Sequence, residues 1–126
     1  MRQTGVAVVG TGWCGGIRAE ACAANPLVKS LDIAETRPDR LRRKWPSSRG
    51  TRKATGDYRE LLTVTDLDAV YISATPETLH YPMTKEFLSA GKHVFLDKPI
   101  AMESRSGTGC DPVNGPTHHM HNFTIE

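Results

Sequence analysis

The stretch Gly5-Val6-Ala7-Val8-Val9-Gly10-Thr11-Gly12-Trp13-Cys14-Gly15 decides the fold. Its first five residues are a short apolar run that stops at a glycine. That is the pattern of a strand buried on both faces of a parallel sheet. The next six residues fit G-x-G-x-x-G. The pattern alone is weak, because glycine-rich turns are common. It gains weight by following a strand and opening an alanine-rich, helix-compatible segment over 13–25, which Asn25-Pro26 stops. Each glycine then has a physical task. Gly10 permits the tight turn, with Thr11 and Trp13 between and after the first glycines. Gly12 lacks a Cβ, so a pyrophosphate can approach the backbone. Gly15 lets the helix lie close to the strand. The helix N-terminus offers free N–H groups and a positive dipole end to an anion.

Such a loop calls for an acid about 20 residues further on, at the end of the second strand. Glu35 occupies that place, closing a strand over 28–35, and its carboxylate can accept hydrogen bonds from adenosine ribose hydroxyls. It would repel a 2′-phosphate, which favours NAD. Arg37, two residues on, can pair with a phosphate and keeps NADP open. Further along, Pro38 can open a helix over 39–45, and 55–57 reads as a short third strand before a helical 58–62. A fourth strand covers 69–74. The segment 78–90 reads as a helix closed by Gly91, and 93–96 as a fifth strand. Strands separated by helices imply an α/β fold, a doubly wound parallel sheet of about five strands in the order 3-2-1-4-5. The last strand would then be an unprotected edge, so self-association is expected.

Composition bounds the function. The chain has 126 residues, 38% hydrophobic and 24% charged, with a formal net charge of +2. That is one domain's worth of polypeptide and too little for a two-domain enzyme of ordinary size. No apolar run approaches the roughly 20 residues of a membrane helix. Cys14, Cys22 and Cys110 are odd in number and lack metal-ligand spacing, which argues for a reducing, cytoplasmic location and against a metal site. From Arg37 to Lys53 eight basic groups face Asp39 alone. A nucleic-acid partner is not expected, because only Trp45 could offer a stacking platform there.

Two later motifs complete the picture. Ser73-Ala74-Thr75-Pro76-Glu77-Thr78-Leu79-His80 follows the fourth strand, and Gly91-Lys92-His93-Val94-Phe95-Leu96-Asp97-Lys98-Pro99-Ile100-Ala101 contains the fifth. Together with the glycine loop, Glu35-Thr36-Arg37-Pro38 and Asp57-Tyr58-Arg59-Glu60-Leu61-Leu62, these resemble the nucleotide-binding half of the Gfo/Idh/MocA oxidoreductases. The resemblance spans about residues 5–102. It implies a Rossmann-like fold and an NAD(P)-dependent oxidoreductase acting on sugars, inositols or related hydroxy compounds. By position it implies that Gly10, Gly12 and Gly15 hold the pyrophosphate and Glu35 the adenosine ribose. Thr75 and Pro76 would line the cofactor groove, and His80 would begin or support the next helix. Asp97, where the family usually has glutamate, would contact the nicotinamide ribose. Lys98 would lie near the nicotinamide and the reacting hydroxyl, and Pro99 would fix the turn that aims Lys98. An ammonium there can polarise the oxygen of a carbinol as hydride leaves.

Residues 1–102 form the nucleotide-binding domain in this reading. Residues 103–126 show no apolar periodicity, contain five Gly or Pro, and read as a disordered or weakly ordered tail. The H-H-x-H cluster of His118, His119 and His121 lies there without a fixed geometry around it. The change after Met102 is the expectation for a truncated or frame-shifted product, or an incomplete fragment. The family's substrate domain has no counterpart in 103–126, so a polyol or sugar substrate is expected only if that domain is supplied. The alternative is a non-catalytic NAD(P)-binding regulatory module.

Overall fold

The computed structural model describes residues 1–45 and 50–100, and the backbone of 120–122. Six parallel strands form one sheet: β1 (Thr4–Val9), β2 (Val28–Ala34), β3 (Thr51–Thr55), β4 (Ala69–Ile72), β5 (His93–Leu96) and β6 (Met120–Asn122). Their order is β3-β2-β1-β4-β5-β6. The expected 3-2-1-4-5 arrangement is therefore present. Among the described residues β5 is not an edge, because Val94, Phe95 and Leu96 pair with Met120, His121 and Asn122. The tail reading over 103–126 otherwise lies outside the described residues, as do His118 and His119.

The pleat of β1 explains the two layers. Alternate side chains point to opposite faces. Val8 joins Leu31, Ile33 and Trp45 on the face covered by α1 (Trp13–Ala24) and α2 (Pro38–Lys44). Ala7 and Val9 join Val70, Ile72, Val94 and Phe87 on the face covered by α3 (His80–Ser89). A strand used on both faces has no room for polar residues, which is why β1 reads as a continuous apolar run. Fully buried Phe87 anchors the second layer, where a side chain of its size contributes about 2 kcal/mol.

The third strand starts four residues earlier than the expected 55–57 and ends at Thr55. Thr51–Thr55 pairs with Leu31–Ala34 at the sheet edge. Its polar sequence hides it, since an edge strand keeps one side in water. Its basic residues find carboxylates: Arg52 with Asp32 and Asp66, and Lys53 with Glu60. Part of the basic run is thus neutralised within the fold. Tyr58–Leu61 is a 3-10 turn rather than an α-helix, opened by Asp57, whose carboxylate accepts from the Arg59 N–H at 3.0 Å. A second 3-10 turn, Glu77–Leu79, precedes α3. Gly91 ends α3 with φ +75°, the left-handed conformation expected of it.

Buried Lys92 fastens the turn before β4. Its ammonium donates to the carbonyls of Val64 at 2.7 Å and Leu67 at 2.9 Å. Beyond α1, half-buried Tyr71 and Phe95 line an apolar hollow with Val6 and Cys22. Burial pushes the Cys22 thiol up. No helix among the described residues is long and apolar enough to cross a membrane.

Candidate functional site

The strand order reverses between β1 and β4, and the loops leaving their carboxyl ends diverge there. This is where open parallel sheets bind ligands. Gly10 leaves β1 with φ +83°, a conformation that favours glycine, and its N–H donates to the Ala34 carbonyl at 2.8 Å. Across the divide the Ser73 N–H donates to the Val9 carbonyl at 2.9 Å. A groove of about 120 Å³ opens between these loops. Gly10, Gly12, Glu35, Arg37 and Thr75 line it, as do Arg40, Tyr58, Ser73 and Met83.

Gly12 and Gly15 play different parts. A Cβ on Gly15 would sit 1.8 Å from the Gly10 carbonyl oxygen, so Gly15 is what allows α1 to fold against the loop. A Cβ on Gly12 would meet nothing closer than Arg40 Nη1 at 3.5 Å. Gly12 is therefore a space left open above the backbone. Gly12 is also the N-cap of α1. No side chain caps this end, and the first turn contains no acid. The helix N-terminus thus keeps donors and dipole for an anion. This combination fits a dinucleotide pyrophosphate.

Glu35 is 5% exposed. Its Oε2 accepts from the Thr11 N–H at 2.7 Å and the Thr11 hydroxyl at 2.8 Å, and its Oε1 from the Arg37 N–H at 3.0 Å. The carboxylate therefore ties the glycine loop to the end of β2. Burial alone would raise its pKa, but the bonds from Arg37 and Thr11 outweigh burial and hold it below the usual glutamate range. A depressed folded-state value stabilises the fold above the ordinary glutamate pKa of about 4.3, and that contribution disappears as pH falls through the lower value. Urea midpoints of the parent and Glu35→Gln should differ at pH 7 and converge in acid. A gap that widens on acidification would contradict this coupling.

Arg37 lines the groove but its guanidinium pairs with Asp39, at 3.2 and 3.3 Å, with both side chains exposed. Arg40 reaches the groove from the first turn of α2. Nothing in the sequence separated it from its basic neighbours; only the packing of α2 beside the loop brings it there. Thr11 and 85% exposed Trp13 line a hollow on the other side of the loop, against Ile17 and Trp45.

The β5 turn reaches the same edge of the sheet. The Asp97 N–H donates to the Ile72 carbonyl at 2.9 Å. The Asp97 carboxylate accepts from the Ser73 hydroxyl at 3.0 Å and the Lys98 N–H at 3.1 Å. Lys98 and Pro99 are exposed. Pro76 is exposed beside Thr75 and does not line the groove. Both Thr75–Pro76 and Lys98–Pro99 are cis peptides. His80 lies under these turns rather than in the groove, and is 2% exposed. Among the described residues no cluster of His, Cys, Asp and Glu could hold a metal ion.

Residues 4–109 match the family described as "Oxidoreductase family, NAD-binding Rossmann fold", GFO_IDH_MocA. This chain belongs to the Gfo/Idh/MocA family. Residues 4–109 are the family's NAD-binding Rossmann domain. The uncharacterized oxidoreductase YrbE of Bacillus subtilis is 31% identical over 100 residues, 79% of this chain and 29% of the relative. The scyllo-inositol dehydrogenase of Lactobacillus casei, solved with NAD(H) and scyllo-inositol, superposes with a TM-score of 0.77 at 27% identity, over 86% of this chain and 32% of that one. A 3-ketoreductase from Actinomadura kijaniata, solved with NADP, gives 0.72 at 32% identity, over 86% and 34%. The chain thus spans about a third of these Gfo/Idh/MocA relatives.

Proposed function

We propose that this domain holds the nicotinamide cofactor of an enzyme that transfers hydride to or from a hydroxyl-bearing carbon of a sugar, inositol or related compound. The observation that carries this reading is the uncapped N-terminus of α1 at the reversal of strand order, with open space over Gly12. The likeness to an inositol dehydrogenase and a 3-ketoreductase supports the substrate class. Gly10, Gly12 and the first N–H groups of α1 take the pyrophosphate. Glu35 faces the adenosine ribose with what acceptor capacity Thr11 and Arg37 leave it. Asp97 orients the nicotinamide ribose, and Pro99 sets the turn that carries Lys98. The bound nicotinamide supplies the hydride acceptor or donor. The Lys98 ammonium would donate to the substrate oxygen and stabilise the charge that develops there, the carbinol proton passing to solvent at this exposed turn. The rest of the substrate pocket must come from outside residues 4–100. A cytoplasmic location belongs to this reading, with Cys14 and Cys22 as free thiols.

The cofactor assigned is NAD. The ionised Glu35 opposes a 2′-phosphate, and the Arg37 guanidinium is committed to Asp39. Fluorescence titration should show NADH binding about tenfold tighter than NADPH, with Glu35→Gln narrowing the ratio. Equal affinities for the parent would reject the preference, and no binding of either would reject the function.

The apolar hollow at Tyr71 and Phe95 supports the expected self-association. Light scattering coupled to size exclusion should show mass rising with concentration; a constant monomer mass would end that reading.

A further inference from the structure

We infer that His80 is the positioning residue that couples the two cofactor turns, and through Pro99 sets where Lys98 stands. The inference rests on the proposed dinucleotide site. His80 is buried at the first position of α3, and both ring nitrogens meet backbone carbonyls. Nδ1 lies 2.7 Å from the Pro99 oxygen and Nε2 lies 3.0 Å from the Ala74 oxygen. Ala74 follows β4 and lines the groove; Pro99 follows Lys98 beyond β5. The ring is thus a strut between the loop that walls the groove and the turn that carries Lys98.

The chemistry is specific to imidazole. A carbonyl oxygen accepts and cannot donate. The rigid ring holds one nitrogen against each carbonyl, and which nitrogen carries the donated proton depends on the tautomer. No other side chain places two polar nitrogens on opposite edges of a short rigid plane. Asparagine at this position reaches about as far as Nδ1, and glutamine about as far as Nε2, so each retains one bond and breaks the strut. The Asp97–Ser73 bond also joins the two turns, but nearer the strands. Beyond it, His80 and the packing of Ile100 on the core hold Pro99.

A strut at the nicotinamide end has a distinct signature. His80→Asn and His80→Gln should each weaken NADH binding about tenfold while changing binding of ADP-ribose, which lacks only the nicotinamide ring, less than about twofold. In the ligand-free full chain, the amide signals of Lys98 and Ile100 should shift in both variants while those of β1 and β2 stay in place. His80→Ala serves as the third variant, with melting temperature recorded for all. Equal loss for NADH and ADP-ribose, or unchanged Lys98 and Ile100 amides in folded variants, overturns the strut. A parent that binds neither ligand overturns the dinucleotide site, and the coupling role with it. Failure of the site and failure of the strut are therefore told apart by the parent's own titration.

Discussion

Gly12→Val is expected to weaken dinucleotide binding by about 100-fold, equivalent to about 3 kcal/mol, and to leave the melting temperature nearly unchanged. Gly15→Ala is expected to do the reverse in kind, costing about 3 kcal/mol of folding stability or more. Both residues belong to one motif, and their surroundings divide the roles. The Gly12 φ of −58° is ordinary for any L-residue, and the nearest atom to an added Cβ is the end of the flexible Arg40 side chain. The new methyls extend into the space over the loop, where the ligand would meet them. At Gly15 the added Cβ falls 1.8 Å from a backbone oxygen and 3.3 Å from Ser73 Cβ. The loop and α1 must separate, and the β1–β4 divide opens with them. Thermal melts and NADH titrations of both variants check the division. A Gly12→Val chain that melts far below the parent, or a Gly15→Ala chain as stable as the parent, would refute it.

The second large effect sits at the far side of the sheet. Arg52→Ala is expected to cost about 3 kcal/mol. Asp32 is fully buried on β2, and the Arg52 guanidinium grips it with two N–H groups while a third contact reaches Asp66 at 2.6 Å. The Asp32 and Asp66 carboxylates drive the Arg52 pKa up. Removing the arginine leaves a buried carboxylate without its cation, the costly half of breaking such a pair. Removing both charges should recover part of the loss. The double variant Asp32→Ala/Arg52→Ala is therefore expected to be more stable than the sum of the single changes, and chemical denaturation of the four chains measures the coupling. A strictly additive cycle would show that the pair acts as two separate surface groups. No dinucleotide-binding residue touches this pair, so NADH affinity should follow only the folded fraction.

Much of this was legible from local pattern. The run Gly5–Val9 and the three glycines carry fold and site together, because a buried strand and a Cβ-free turn both restrict residue type within a few positions. Glu35 was found by spacing alone. Arg40, Tyr58 and Met83 were not, because a groove residue on a helix or turn resembles any other surface or core residue until the elements pack. The third strand was displaced for a related reason. Its alternation is weak at a sheet edge, and Arg52 finds its partners 14 and 20 residues away rather than among near neighbours.

Residue types and their order thus determined an alternating α/β chain, its parallel sheet, the glycine loop and the acid that answers it. These follow from local constraints: the polarity a strand can bury, the space a turn allows, and the length of a crossover. Tertiary packing alone decided how those parts are used. It turned Glu35 inward onto Thr11, brought Arg40 to the loop and set His80 between two carbonyls. Those outcomes depend on distances between residues far apart in the chain, which no local pattern records.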